Sequence, residues 1–352
     1  MRWHGRDRES DLSLALESKL NNRSFTREFS VMPEASHLHN CLKKALKLIL
    51  LVVCAWLGEI SVAAPYNRNS TGGWGGDPEG WSEGVDRAKT ARESPWRSTP
   101  IPEWTNPTGF EKSVFTFARV RYTRMSRGRA VWWGGGFWYS DYPDSDLNLS
   151  YRLQQMTAIR SDPNGRVIDL TDPELFDYPW IYIVEPGLMS LEDEEVPVLR
   201  KYLSNGGFLM VDDFWGDPQW DNFEREMLRV FPNKKFQDLE MDHPIFHSVI
   251  DFKAPKDQMQ IPNVQIGRES EKTGITWERH EKVRGHGREE CKDVHFRALF
   301  DDKNRIIVMA CYNTDNGDGW EREGEDHYFF ERFSEKIAYP LAINIIFYSM
   351  TH

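Results

Sequence analysis

"GGFLMVDDFWGDPQW" (Gly206–Trp220) joins two glycines, an unbroken apolar run, two adjacent carboxylates and an aromatic loop. Apolar residues at consecutive positions, rather than alternate ones, mark a strand covered on both faces, as strands of parallel sheets are. Upstream, "SLEDEEVPVLRKYLSNGG" (Ser190–Gly207) reads as a helix opened by Ser190, with Asp193 three residues on, and closed by glycines. Pro197 inside it predicts a kink or a later start. "WIYIVEPG" (Trp180–Gly187) is a second buried strand, "GRVIDL" (Gly165–Leu170) a short one, and "DNFEREMLRVF" (Asp221–Phe231) the next helix.

The alternation extends outward. "SVFTFARVRY" (Ser113–Tyr122) is strand-like, with Phe115, Phe117, Arg119 and Arg121 on one face. "LNLSYRLQQMTAI" (Leu147–Ile159) spaces Leu149, Leu153, Met156 and Ile159 as a helix does. His295–Tyr312 reads as a hairpin, and a final helix runs from about Ser334 to Met350. Strands alternating with helices predict a three-layer αβα sandwich around a mostly parallel sheet, with residues 110–352 forming a single α/β domain.

Composition limits what such a domain does. The 352 residues carry a formal charge of −11 and no basic stripe, which argues against a nucleic-acid partner. "LKKALKLILLVVCAWLGEISVAAP" (Leu42–Pro65) has the lysine-flanked apolar core and small residues of a secretory signal, cleaved after Ala63. Residues 1–64 therefore read as an N-terminal extension plus signal peptide, with Met32 a second candidate start. Export to the periplasm or cell envelope follows, an uncleaved N-terminal anchor being the alternative. Residues 65–109 are rich in Gly, Pro and Ser yet contain Trp74, Trp81, Trp96 and Trp104, which predicts an arm lying against the domain, or a contact between copies. Only Cys291 and Cys311 follow the leader, in no metal-type spacing.

"FTFARVRY", "DPELFDYPWIYIVEPG", "LRKYLSNGGFLMVDD", "DHPIFH" and "NIIFYSMTH", in this order over Val114–His352, resemble an uncharacterised bacterial family, domain of unknown function 4159. That family is similar to the class I glutamine amidotransferase-like superfamily, which implies a flavodoxin-like fold. Catalytic members of that superfamily place a cysteine on the turn after a central strand. Here Phe214 and Trp215 follow the strand, so the resemblance implies the fold and not the amidotransferase reaction.

In open α/β sheets, ligands bind beyond the carboxyl ends of the strands. Arg119, Arg121, Glu185, Asp212 and Asp213 are expected there. Carboxylates there could hold a hard divalent cation or act as acid and base. Because neighbouring residues of a strand face opposite ways, only one of Asp212 and Asp213 is expected to reach a given pocket. The competing expectation is an ion pair between one of these acids and an arginine of the first strand.

His243, in "MDHPIFHSV", is the candidate catalytic partner of the acids, while Pro244 argues against metal ligation by His243 and His247 together. "YNTDNGDGWE" (Tyr312–Glu321) is a structured turn that adds Asp315, Asp318 and Trp320 as ligand-binding candidates. "VWWGGGFWYSDYPDSD" (Val131–Asp146) surrounds glycines with aromatics, and Trp133 and Trp138 suit contact with a sugar or peptide. Two functions remain open. One is a ligand- or partner-binding or scaffolding domain of the envelope, with an envelope protein or carbohydrate as partner. The other is a hydrolase using Asp212 or Asp213 with His243, with or without a metal. No cofactor, metal or oligomeric state is assigned from the sequence.

Overall fold

A computed structural model describes residues 85, 87–98, 100–110, 113–126, 129–131, 137–281 and 288–352. The leader, the first part of the arm and Trp133 lie outside the described residues.

Twelve strands are present among them. In chain order they are β1 (Ala118–Arg121), β2 (Thr123–Ser126), β3 (Arg129–Val131), β4 (Arg166–Asp169), β5 (Trp180–Val184) and β6 (Met189–Ser190). Then follow β7 (Phe208–Asp212), β8 (Gln237–Asp238), β9 (Arg279–Glu281), β10 (Arg288–Glu290), β11 (His295–Phe300) and β12 (Ile306–Tyr312). The main sheet has seven strands in the order β4-β1-β5-β7-β12-β11-β8. The first five of these run parallel, and β11 and β8 add an antiparallel edge. β2, β3 and β6 form a small sheet, and β9 with β10 a ribbon.

The consecutive apolar residues face two cores. Val120, Ile181, Ile183, Leu209, Val211 and Val308 pack on one side, with Leu199 and Phe223 from the helices Glu195–Ser204 and Gly216–Val230. Phe117, Tyr182, Met210 and Met309 pack on the other, with Leu149 and Leu341 from the helices Asp144–Met156 and Tyr339–Thr351. Every side chain of β5, β7 and β12 is buried, which explains the unbroken apolar runs. The chain thus has an α/β fold with a mixed, mostly parallel sheet covered on both faces.

Local expectations shift in two places. Ser190 does not open a helix, because it lies in β6; the helix begins at Glu195, which leaves Pro197 in the first turn, where its missing N–H costs nothing. The last helix is preceded by a π-helical stretch, Phe330–Ala338. Described residues of the segment 65–109 hydrogen-bond to the domain from Lys89 onward. Val167 donates its N–H to the Lys89 carbonyl at 2.9 Å, and the Trp104 indole donates to the Ser161 carbonyl at 3.0 Å. Cys291 and Cys311 are both buried. Among the described residues, no helix is long and apolar enough to cross a membrane.

Candidate functional site

The three central parallel strands β5, β7 and β12 lie side by side, and each is followed by a residue in the left-handed region. These are Glu185 (φ 46°), Asp213 (φ 55°) and Asn313 (φ 57°). Asp141, in the segment before the Asp144–Met156 helix, has φ 61°. Asp and Asn enter this region more readily than other non-glycine residues, whereas Glu185 does so only under constraint from its surroundings, and such backbone gathers at functional sites. The left-handed turn at Asp213 breaks the strand alternation at that residue. Asp212 and Asp213 therefore both contribute to one acidic cluster, against the expectation that only one would.

The two acids have different duties. Asp212 is fully buried, and both its carboxylate oxygens are engaged. Oδ1 accepts from the Asn316 amide at 2.6 Å, and Oδ2 from the Gly317 N–H at 2.9 Å and the Tyr182 hydroxyl at 3.3 Å. It pins the short helix Asn316–Glu321 to the end of β7. Burial raises its pKa to about 7 despite these donors. Asp213 is half-buried and receives one indole N–H, from Trp215 at 2.9 Å. Burial pushes its pKa well above the carboxylate range, and its strongest neighbours after that, Glu185, Asp141, Glu278 and Asp212, are all acids that push it further.

Two triads share Asp141. In the outer triad, oxygens of Asp141, Asp213 and Asp315 all lie within 4.8 Å of one another; in the inner triad, those of Asp141, Asp318 and Glu321 do. Two ionised carboxylates at such a separation repel by about 3 kcal/mol at an effective dielectric near 20. The inner triad is offset by Arg322, whose Nε lies 2.9 Å from Glu321 Oε2 and 3.3 Å from Asp318 Oδ1. Among the described residues, no ion pair offsets Asp213 or Asp315 in this way. Burial, then Asp213 and Asp318, raise Asp315 well above its ordinary pKa. Asp141 is raised to about 7 by burial and by Asp318, with Arg119 and Arg322 acting against the rise. Its Oδ2 is buried without a hydrogen-bond partner. That oxygen lies 2.0 Å from where a Cβ on residue 317 would stand, so Gly317 is required for Asp141 to reach the cluster.

The arginines expected at this rim serve the sheet instead. Arg119 is fully buried and forms a two-pronged ion pair with Asp146, its Nε 3.0 Å from both carboxylate oxygens. It also donates to the carbonyls of Trp138 and Ser140. Arg121 pairs with Asp169 at 2.8 and 2.7 Å. The ion pair expected between these arginines and Asp212 or Asp213 is therefore not formed. Glu185 accepts from the Ser140 hydroxyl at 2.5 Å, at the edge of the acid cluster. Trp138 and Trp320 are buried: the Trp320 ring packs 5.7 Å from Tyr182, and the Trp138 carbonyl serves Arg119. Neither is placed to stack on a ligand.

The structure does not bring His243 to the acids. Its Nδ1 accepts from the Ile245 N–H, and its ring lies 6.3 Å from Phe300 and 5.9 Å from Tyr348. Phe300 ends β11 and pairs with Ile306 at the start of β12, so His243 sits at the amino edge of the parallel strands, opposite Asp213. Near that edge a cavity of about 550 Å³ is lined by Asp301, Arg305, Tyr348 and His352, among others. Its Arg305 and Lys234 are already paired with Asp301 and Asp302. Asp141, Glu321 and Gly317 were not recognised in the sequence, although the repeated acids of "SDYPDSD" were visible.

A family model, Domain of unknown function (DUF4159), matches residues 116–350, about two thirds of the chain and nearly all of the folded domain. The chain belongs to this family. The DUF4159 match spans β1 through the last helix and includes Asp141, Asp213 and Asp315. Among curated proteins, none matches the chain.

Proposed function

We propose that this DUF4159 protein is an exported ligand-binding domain of the bacterial envelope whose ligand is cationic, taken up at the carboxyl edge of the sheet. A flavodoxin-like or glutamine amidotransferase-like fold is part of the proposal. Numbered in chain order, the five parallel strands are arranged 2-1-3-4-5, the flavodoxin order, in which ligands bind beyond the strand ends. The observation that carries the reading is Asp213: half-buried, with a left-handed backbone, and with one carboxylate oxygen within 4.8 Å of oxygens of both Asp141 and Asp315. A like-charged cluster of this kind is stabilised by protons or by a bound cation.

A binding role is favoured over the Asp–His hydrolase because the proposed histidine lies at the opposite edge. The test is a thermal melt of the full chain at pH 8 with divalent metal ions, polyamines, amino sugars and matched neutral compounds. Cationic compounds alone should raise the midpoint, and Asp213→Asn should remove the rise. A panel in which no cation acts, or in which the rise survives Asp213→Asn, overturns the proposal.

A further inference from the structure

Resting on the binding reading above, we infer that the cation is a hard divalent metal ion held by one oxygen each of Asp141, Asp213 and Asp315. Three carboxylates with no sulfur or nitrogen ligand among them suit an oxygen-loving ion such as Ca²⁺ or Mn²⁺. An ion with ligands at about 2.4 Å spans at most about 4.8 Å between two of them, and the three oxygens fall within that span.

The choice between the two triads follows from what already neutralises each. In the inner triad, Arg322 lies against both Asp318 and Glu321, and Asp318 Oδ2 accepts from the Val264 N–H at 2.6 Å. The arm brings Arg97 to the same place, where Asp144 takes the backbone N–H groups of Arg97 and Ser98 at 2.8 and 2.9 Å. Glu321 and Asp141 are the carboxylates that act most strongly on the Arg97 guanidinium. The inner triad is thus a protein-supplied salt cluster.

In the outer triad, Asp213 Oδ1 takes the Trp215 indole and Asp315 Oδ1 takes the Asp318 N–H at 2.7 Å. Neither donor carries a charge, and each leaves the second oxygen for a ligand. The buried Oδ2 of Asp141, a residue both triads share, has no hydrogen-bond partner and is the independent sign that something is to be bound at this cluster. The oxygens of Glu321 also lack hydrogen bonds, but Arg322 Nε stands 2.9 Å from its Oε2. A divalent ion would offset two of the three mutually repelling carboxylate charges. Two neighbours, one by a hydrogen bond and one by leaving space, hold the ligands in place. Trp215 fixes Asp213, and Gly317 leaves room for Asp141.

Trp215 also provides the assay, since an indole bonded to a metal ligand is positioned to sensitise Tb³⁺ emission. Full-length, chelator-treated protein is titrated with Tb³⁺ under tryptophan excitation, and bound ion is displaced with Ca²⁺, Mn²⁺ and Mg²⁺. One Tb³⁺ per chain is expected. Asp213→Asn and Asp315→Asn should each weaken binding at least 10-fold, while Glu321→Gln changes it less than 3-fold. Circular dichroism confirms that each variant is folded. Equal losses in Glu321→Gln would move the ion to the inner triad and overturn the assignment, as would emission that survives Asp213→Asn. Spermidine supplies the separating arm. If it stabilises wild type but not Asp213→Asn, and no metal ion does, the metal assignment fails while the cationic-ligand reading stands. If neither acts, both fail.

Discussion

Arg119 on β1 and Asp213 after β7 face the same end of the sheet, and the charges around them are handled in opposite ways. Around Arg119, one guanidinium meets one carboxylate, and carbonyl oxygens and the Ser145 hydroxyl take its remaining donors. Around Asp213, acids gather with acids. A buried ion pair with its hydrogen bonds completed holds a structure in one arrangement. A buried group of like charges lowers stability unless a proton or a cation joins it. The first centre is therefore part of the scaffold, and the second is where the cation is proposed to bind.

The comparison breaks most visibly if the paired centre is opened. Arg119→Met leaves Asp146 buried without its partner and should cost about 3–5 kcal/mol in urea unfolding. Arg119→Met with Asp146→Leu should recover most of that loss, because no charge is then stranded. A double variant as unstable as the single would show that the pair does more than neutralise itself.

Acid should act on the unpaired centre in the opposite sense to its usual effect on proteins. Asp141 and Asp212 have folded pKa values raised to about 7 from an ordinary value near 3.8. Between these limits the unfolded chain has released protons that the fold still holds, so stability falls as pH rises toward 7 and levels off above it. Without divalent ions, lowering the pH from 7 to 5 should therefore stabilise the protein by about 2 kcal/mol for each of the two groups, at up to about 1.4 kcal/mol per pH unit per group. Chemical unfolding at several pH values checks this. A saturating ion should flatten the profile, because the cation then replaces the protons.

The space for the cluster can be closed directly. In Gly317→Ala the new Cβ would stand 2.0 Å from Asp141 Oδ2, so the carboxylate or the helix must move. A loss of about 2 kcal/mol is expected, within the range for overpacked sites, together with loss of any cation-induced rise in melting temperature. A cation response that persists in this variant would separate Asp141 from the site.

These differences explain what the sequence did and did not disclose. The parallel strands were legible because residues covered on both faces must be apolar at every position, as in Phe208–Val211. The carboxyl-edge location of Asp212 and Asp213 followed from that strand. The turn that carries Asp213 to Asp141 and Asp315 did not, since the left-handed φ there depends on tertiary surroundings as well as on the residue type. Asp146, 27 residues from Arg119, became its partner through tertiary packing alone. His243 was misjoined to the acids because nothing local reveals that the chain reaches the opposite edge beside an antiparallel strand.

The smallest effect isolates charge from shape. Asp213→Asn keeps the side-chain volume and an oxygen for the Trp215 indole, and asparagine tolerates the left-handed backbone at φ 55°. The substitution removes one charge from a set of acids and leaves little else altered. In chelator-treated protein at pH 8 it should raise stability by about 1 kcal/mol, or about 2–4 °C in melting temperature for a domain of this size. With a saturating divalent ion the order should reverse, because wild type gains the ion and the variant does not. Asp146→Asn should behave otherwise under both conditions, losing stability with or without the ion, since its charge already has a partner. A chelated Asp213→Asn protein that melts below wild type would mean that this acid is stabilised by contacts within the fold, and the contrast between the two centres would no longer stand.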